Sequence, residues 1–524
     1  MLLFPLNLSY QNNFLWGTIL MKIAIAVKKG LTSPTNATDD WLLKSALESH
    51  GIQVDVIDWQ DDAINLTQYD AIVVTSTWNA SSFPDEFLAW IDRCDEGRKR
   101  LINSAEILKL SLNKDQYLNL LLEQFGATDS PEGSITPSIF IKPGDKRPSF
   151  TEQLTALKEA DPVWSHDIVI KPIISADGNN TYIFTDNPIL LKKNPKMYRA
   201  FSQAEQCINE LLTPKGTRGI IIQPFIPAVE KSGEYQLVFI DEQFSHATVK
   251  PRGFKNNDTV TRTTVPIDEL PAGMLAFAQN IMSFYFRNYP DSITRTRLDF
   301  FAGDKGPILC EAEMVEPNTN IRRLASSEQN LVIEKYTTSI INHTLQLNAM
   351  AVLEDIFKKD STDYLPLTKR PELYPAIMKI YHTHHDILSN LANAKAKHKL
   401  AMTHAPTYLK ACFDALNTFA KMNYPQEQDK KLLIESLEQA KARYSKSVLS
   451  QDQSTVSKLM RWMLKGVVNF IASLTLGAAH YINYQKTGTA TFFANTASDN
   501  KLKQSHHELK KELENNSILT TRKS

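Results

Sequence analysis

Over the first quarter of the chain the spacing of apolar positions switches between period two and the helical period. "KIAIAV" (22–27), "IQVDVIDW" (52–59), "YDAIVVTST" (69–77) and "KRLIN" (99–103) read as strands. "DDWLLKSALESHG" (39–51), closed by Gly51, and "PDEFLAWIDRC" (84–94) read as the helices between them. Strand alternating with helix predicts a parallel sheet with helices on its faces. The glycine fingerprint GxGxxG of dinucleotide domains is absent here, so a plain dinucleotide-binding domain is not supported.

From about 135 to 320 the pattern becomes one of paired strands with short turns. "EYQLVFIDEQFSHATVKP" (234–251) turns at Asp241 to Gln243, and "RTRLDFFAGDKGPILCEAEMV" (295–315) turns at Gly303 to Gly306. A helix, "LPAGMLAFAQNIMSFYF" (270–286), lies between them. From about 330 to 485 the chain reads as glycine-poor helices, such as "DKKLLIESLEQAKARYSKSVL" (429–449), and predicts a helical bundle. The last stretch is highly charged and then rich in Ser and Thr, the pattern of a helix that frays into a tail.

Alternation along the second hairpin puts Arg297, Asp299 and Phe301 on one face of their strand. On the partner strand Glu311 and Glu313 share a face, and Cys310, Ala312 and Met314 point the other way. Three carboxylates and an arginine then converge on one patch. Two like charges 4 Å apart repel by ~4 kcal/mol at an effective dielectric of 20, so such a patch needs a cation. All-oxygen ligands favour Mg²⁺ bound together with substrate phosphates. On the first hairpin Lys250 alternates with Phe244, His246 and Thr248, which places them on one face. "DIVIKPIISADGNNTYIF" (167–184) ends a buried-looking strand with Lys171 and continues into a small polar loop around Gly178. A buried ammonium is costly unless paired, so Lys171 either reaches solvent or meets an anion.

Composition narrows the setting. The chain has 524 residues, room for about three domains. Lys plus Arg and Asp plus Glu are equal at 58 each, so no net charge points to nucleic acid or an anionic membrane. Four scattered cysteines, without CxxC, argue against a disulfide scaffold or a zinc site and suit a reducing compartment. Residues 1–20 are apolar without a charged start or a cleavage site, and read as an extension before "MKIAIAV". "GVVNFIASLTLGAA" (466–479) is shorter than the about twenty residues a membrane span needs.

Several motifs stand in a fixed order: "STWN" (76–79), "NKDQYL" (113–118), "IVIKP" (168–172), "QPFIPAVEKSGEYQLVFID" (223–241), "FSHATVKP" (244–251), "RLDFF" (297–301) and "EAEMVEPN" (311–318). The ordered set, over residues 22–325, resembles the ATP-grasp superfamily of D-alanine–D-alanine ligase and glutathione synthetase, and in wording is most similar to O-ureido-D-serine cyclo-ligase-like proteins. The resemblance implies a mixed α/β and α+β fold. A pre-ATP-grasp Rossmann-like domain would occupy 21–112, the two-subdomain ATP-grasp fold 113–330 and the C-terminal helical bundle 331–490, with a polar tail at 491–524.

The resemblance also implies roles. Lys114 and Lys171 would contact the nucleotide, and "SADGNNTY" (175–182), with Gly178, would cover the phosphates. Gln223, Phe225 and Ile226 would form the hinge that meets the adenine edge, and Glu234 would hold the ribose. Lys250 would stand by the transferred phosphoryl group, and Arg297 would steady the reacting carboxylate. Asp299, Glu311 and Glu313 would hold two Mg²⁺ ions, with Mn²⁺ as a substitute. The implied activity is ADP-forming ligation of a small carboxylate, an amino acid or peptide, to an amine through an acyl phosphate, in the cytoplasm. The alternatives are an ATP-binding scaffold that engages a host partner through its helices, and an enzyme that adds amino acids to a protein.

Other candidates carry less. His246 is a candidate base; Arg252, Arg322 and Arg323 are candidate carboxylate binders; His382 and His385 lie one helical turn apart. The end of the chain, with "HELKKELEN" (507–515), resembles the translocation signal of effectors secreted into host cells by type IV systems.

Overall fold

The computed structural model describes residues 21–34, 38–127, 130–176, 178–213, 218–251, 262–290, 292–357 and 399–422, with scattered positions between 363 and 443. The chain divides into two compact units, residues 1–381 and 382–524. In the second unit the long described element is the helix Lys399–Ala420.

The first unit opens on four parallel strands, β1 (Lys22–Val27), β2 (Gln53–Asp58), β3 (Ala71–Val74) and β4 (Leu101–Ile102), in the order β2-β1-β3-β4. The run Ile23 to Val27 is fully buried, as expected of a parallel sheet covered on both faces. The helix Pro84–Cys94 supplies Phe87, Trp90 and Ile91 to one of those faces, against Trp59.

Two further sheets follow. β5 (Ser134–Ile135) joins the second of them from a distance. β6 (Ile139–Ile141), β7 (Ile168–Pro172), β8 (Tyr182–Phe184), β9 (Tyr198–Arg199) and β10 (Ile220–Pro224) form a five-stranded sheet in the order β6-β10-β7-β8-β9. β11 (Glu234–Ile240), β12 (Gln243–Lys250), β13 (Thr263–Val265), β14 (Arg295–Ala302) and β15 (Pro307–Glu313) complete a six-stranded sheet in the order β13-β12-β11-β14-β15-β5.

Each sheet buries one face on helices. Ile168 and Ile170 of β7 and Ile220 and Ile222 of β10 pack with Phe150, Leu154, Cys207 and Ile208 of the flanking helices. Leu237, Phe239, Leu298, Phe300 and Ala312 of the larger sheet pack with Phe277, Ile281 and Tyr285 of the helix Met274–Asn288, and with Tyr117, Leu118 and Leu121 of the helix Lys114–Phe125. The opposite faces carry the polar and charged residues described below.

The helix Ser326–Phe357 crosses the expected boundary at 330 and belongs to the first unit. It meets the first helix, Asp40–Ser49, where His50 Nε2 lies 3.0 Å from Glu334 Oε1. It meets the β11–β12 turn where Ser339 Oγ donates to Asp241 Oδ1 at 2.5 Å. No described helix is long and apolar enough to cross a membrane. Arg252, His382, His385, residues 1–20 and the effector-like end of the chain lie outside the described residues.

Candidate active site

Strand register builds the site in rows. Thr248 pairs with Gln236, Gln236 with Asp299, and Asp299 with Glu311, so these four side chains lie side by side across β12, β11, β14 and β15. In the next row His246, Val238, Arg297 and Glu313 follow in the same way. In the row on the other side Glu234 pairs with Lys250. All point away from the core, because their strand neighbours Leu237, Ala247, Leu298 and Ala312 are buried in it.

Asp299 is 1% exposed and is gripped at both oxygens by Arg297, Nε to Oδ1 at 2.7 Å and Nη2 to Oδ2 at 2.8 Å. Burial works against the Arg297 charge, but Asp299, Glu313 and Glu311 together hold the guanidinium firmly protonated. Gln236 Nε2 donates to Asp299 Oδ2 at 3.3 Å and to Glu234 Oε1 at 3.1 Å. Burial, with Asp299 nearby, pushes the Glu234 carboxyl above its usual range, and Lys250 Nζ at 4.0 Å opposes it.

Glu311 takes Lys114 Nζ at 3.2 Å. Burial pushes its carboxyl up, yet Lys114, Lys171 and Arg297 overcome this and bring it to about 2. Glu313 is raised, first by burial and then by Glu311. Its Oε1 accepts from the Val315 and Glu316 amides at 2.9 and 3.2 Å. Lys171 shares the inward face of β7 with Val169 and is half-buried. Burial lowers its ammonium, Glu311 raises it and Lys114 lowers it again. Lys114 is 7% exposed, and its Nζ also donates to the Ser175 carbonyl at 2.7 Å, where the loop 175–182 begins. Within that loop Gly178 is exposed at φ +68, the left-handed turn conformation glycine tolerates.

Beside the charged rows lies an apolar cluster. Ile183, Phe225 and Val229 are buried in it, and Val169, Met197, Tyr198 and Phe301 pack against them. The cluster joins the smaller sheet to β14 of the larger.

Several expectations are corrected. A bulge between Asp299 and Phe300 pairs Phe300 with Leu309, so β15 carries one extra residue there. Leu309 and Ala312 both enter the core, so Cys310 and Glu311 between them share the charged face. Cys310 Sγ donates to the Asp299 carbonyl at 3.2 Å. Burial, then Glu234, Asp299 and Glu311, push its thiol well up. A second bulge, at Val238 and Phe239, turns Phe244 away from Lys250's face and onto Phe239 in the core, 5.8 Å between ring centres.

Of the residues expected at the hinge, Phe225 has its amide engaged, donating to the Asp167 carbonyl at 2.6 Å. Gln223 is buried and its Nε2 donates to Ser138 Oγ at 2.8 Å. His246 has both ring nitrogens bonded, Nε2 to the Thr319 carbonyl at 2.6 Å and Nδ1 to Ser245 Oγ at 3.0 Å, so it is a fixed structural group rather than a free base. Arg322 Nε donates to the Thr38 carbonyl at 2.7 Å, and Arg323 Nη1 to the Arg262 carbonyl at 3.4 Å.

Sequence reasoning missed Gln236, Asn320 and Arg262. Arg262 Nε donates to Gln236 Oε1 at 2.9 Å, and Asn320 Nδ2 approaches the same oxygen at 3.4 Å. Gln236 was legible, since it sits two residues from Glu234 on the same face. Arg262 and Asn320 arrive from separate segments, and no local pattern marks them.

The donor set fits magnesium in chemistry: hard carboxylate oxygens, buried, with amide and guanidinium partners. Among the described residues, no three or more His, Cys, Asp or Glu side chains converge closely enough to hold a metal unaided.

Residues 23–103 match the family described as D-cycloserine synthetase DcsG, N-terminal domain. The cycloserine biosynthesis protein DcsG of Streptomyces lavendulae is 26% identical over 291 residues, 53% of this chain and 86% of that protein. Among solved structures, the chain is similar to D-cycloserine synthetase DcsG, 22% identical with a TM-score of 0.49, over 62% of this chain and 99% of that one. It is also similar to D-alanine–D-alanine ligase from Bacillus anthracis, 12% identical with a TM-score of 0.37, over 62% of this chain and 98% of that one.

Proposed function

We propose that this protein is an ATP-dependent carboxylate–amine ligase that forms an amide through an acyl phosphate and releases ADP and phosphate. The observation that carries the reading is the strand pair Asp299–Glu311 with Lys114 on Glu311, near the apolar cluster of Phe225 and Phe301. That cluster would flank the adenine, and Glu234 would hold the ribose. Lys114, Lys171 and Lys250 would bind the triphosphate with charge-assisted contacts worth ~1.5–3 kcal/mol each. Asp299, Glu311 and Glu313 would hold magnesium, which when bound neutralises charge on the phosphate oxygens.

In the reaction, a substrate carboxylate oxygen bonds to the γ-phosphorus and the bond to ADP breaks. The amine nitrogen then bonds to the acyl carbon, phosphate leaves, and the amine proton passes to a group other than His246. Arg297, held rigid by Asp299, would face the developing oxyanion. Loop 175–182 would exclude water from the acyl phosphate.

Resemblance to a cycloserine biosynthesis protein supports an amino-acid-like carboxylate as substrate. The proposed setting is the cytoplasm, where the thiols of Cys94, Cys207 and Cys310 stay reduced. No feature of the described residues favours the host-partner scaffold. A screen of amino acids and dipeptides for ADP release tests the proposal. At least one pair should give turnover that Asp299→Asn abolishes; turnover that survives this change, or Mg·ATP that produces no binding heat, overturns it.

A further inference from the structure

Every carboxylate assigned to the metal already has a partner within the protein. Arg297 takes both oxygens of Asp299, Lys114 takes Glu311, and two backbone amides take Glu313 Oε1. Lys171 adds a second positive charge near Glu311. Three negative side chains thus face three positive ones, and the patch is self-neutralised.

Lys114 has a particular position in this. It is the first residue of the helix Lys114–Phe125, where the helix dipole disfavours a cation. It is also almost fully buried, which makes an anionic partner obligatory. Its Nζ meets that need at Glu311 and, in the same place, holds the Ser175 carbonyl at the root of loop 175–182. One ammonium therefore ties a metal-ligand carboxylate of the larger sheet to the loop that follows β7 of the smaller one.

We propose that Lys114 is a latch that withholds Glu311 from free divalent ions, so that metal enters only with a triphosphate. The phosphates offer Lys114 and Lys171 replacement anions. Glu311 is then released to the metal, and the Ser175 carbonyl loses its ammonium partner. This rests on the ligase reading's assignment of the site to Mg·ATP.

Mn²⁺, followed by the loss of its free-ion electron paramagnetic resonance signal, is the probe. Wild-type protein alone should leave the signal of added Mn²⁺ intact, and addition of ATP should abolish it. Lys114→Gln should bind Mn²⁺ without nucleotide at least about tenfold more tightly than wild type, as expected when a facing cation is removed. Adding Glu311→Gln to that variant should remove the gain. Hydrogen exchange of residues 175–182 should speed up in Lys114→Gln.

Tight Mn²⁺ binding by the wild type without nucleotide overturns the latch, even if the variant does not fold. A folded Lys114→Gln protein with unchanged Mn²⁺ affinity also overturns it. Failure of ATP to recruit Mn²⁺ in either protein counts against the ligase reading instead, because the nucleotide-free contrast is measured separately.

Discussion

Arg297 grips Asp299 two residues further along the same strand, with Nε and Nη2 on separate carboxylate oxygens at 2.7 and 2.8 Å. Both side chains leave β14 on its outer face, so the pair needs no loop to form. The arginine is thereby fixed in one orientation.

This fork predicts an asymmetric response to mutation. Arg297→Met leaves a buried carboxylate unpaired and should cost about 3–5 kcal/mol of stability. Arg297→Met combined with Asp299→Leu should recover much of that loss while remaining inactive. Urea unfolding of both variants measures the difference.

The apolar cluster around Phe225 should govern nucleotide affinity. Phe301 is half-buried beside Phe225 and Ile183, so Phe301→Ala should weaken ATP binding by roughly tenfold, the effect of losing about 1.4 kcal/mol of contact. Calorimetric titration with Mg·ATP reads this directly, and a folded variant with unchanged affinity would place the adenine elsewhere.

Gly233 lies at φ +79 between a short helix and β11, and an added Cβ would stand 2.5 Å from the Lys250 carbonyl. Gly233→Ala should therefore destabilise the protein by more than about 1 kcal/mol and displace Lys250 from Glu234. A lower thermal midpoint with a raised KM for ATP is the expected result.

His246 supplies a pH dependence. Burial lowers its pKa below the ordinary 6.5, although the Thr319 carbonyl and Asp39 oppose this. The folded state then binds fewer protons than the unfolded state as pH falls below that value. Stability associated with His246 is complete above about 6.5 and declines as pH drops toward the folded pKa. Denaturant unfolding at pH 7.5 and 5.5 should show the decline in the wild type and a smaller one in His246→Gln.

The sequence alone determined the strands of the larger sheet and the faces on which the candidate site residues stand. Period-two runs with fixed turn signals prescribe β11, β12, β14 and β15, and alternation alone puts Arg297 with Asp299 and Glu311 with Glu313. Such information is local, because a strand's faces follow from its own backbone. The bulges at Asp299 and Val238 were not legible, because an extra residue is accommodated only against a paired strand. They decide that Cys310 joins the charged face and that Phe244 leaves it. Tertiary structure alone also decided that Lys114, an ordinary surface lysine by its helical pattern, is buried between Glu311 and Ser175. Its two partners lie 197 and 61 residues away along the chain, counted from their positions. Only the closing of one sheet over another brings charges so distant in sequence within reach, and no local pattern encodes that.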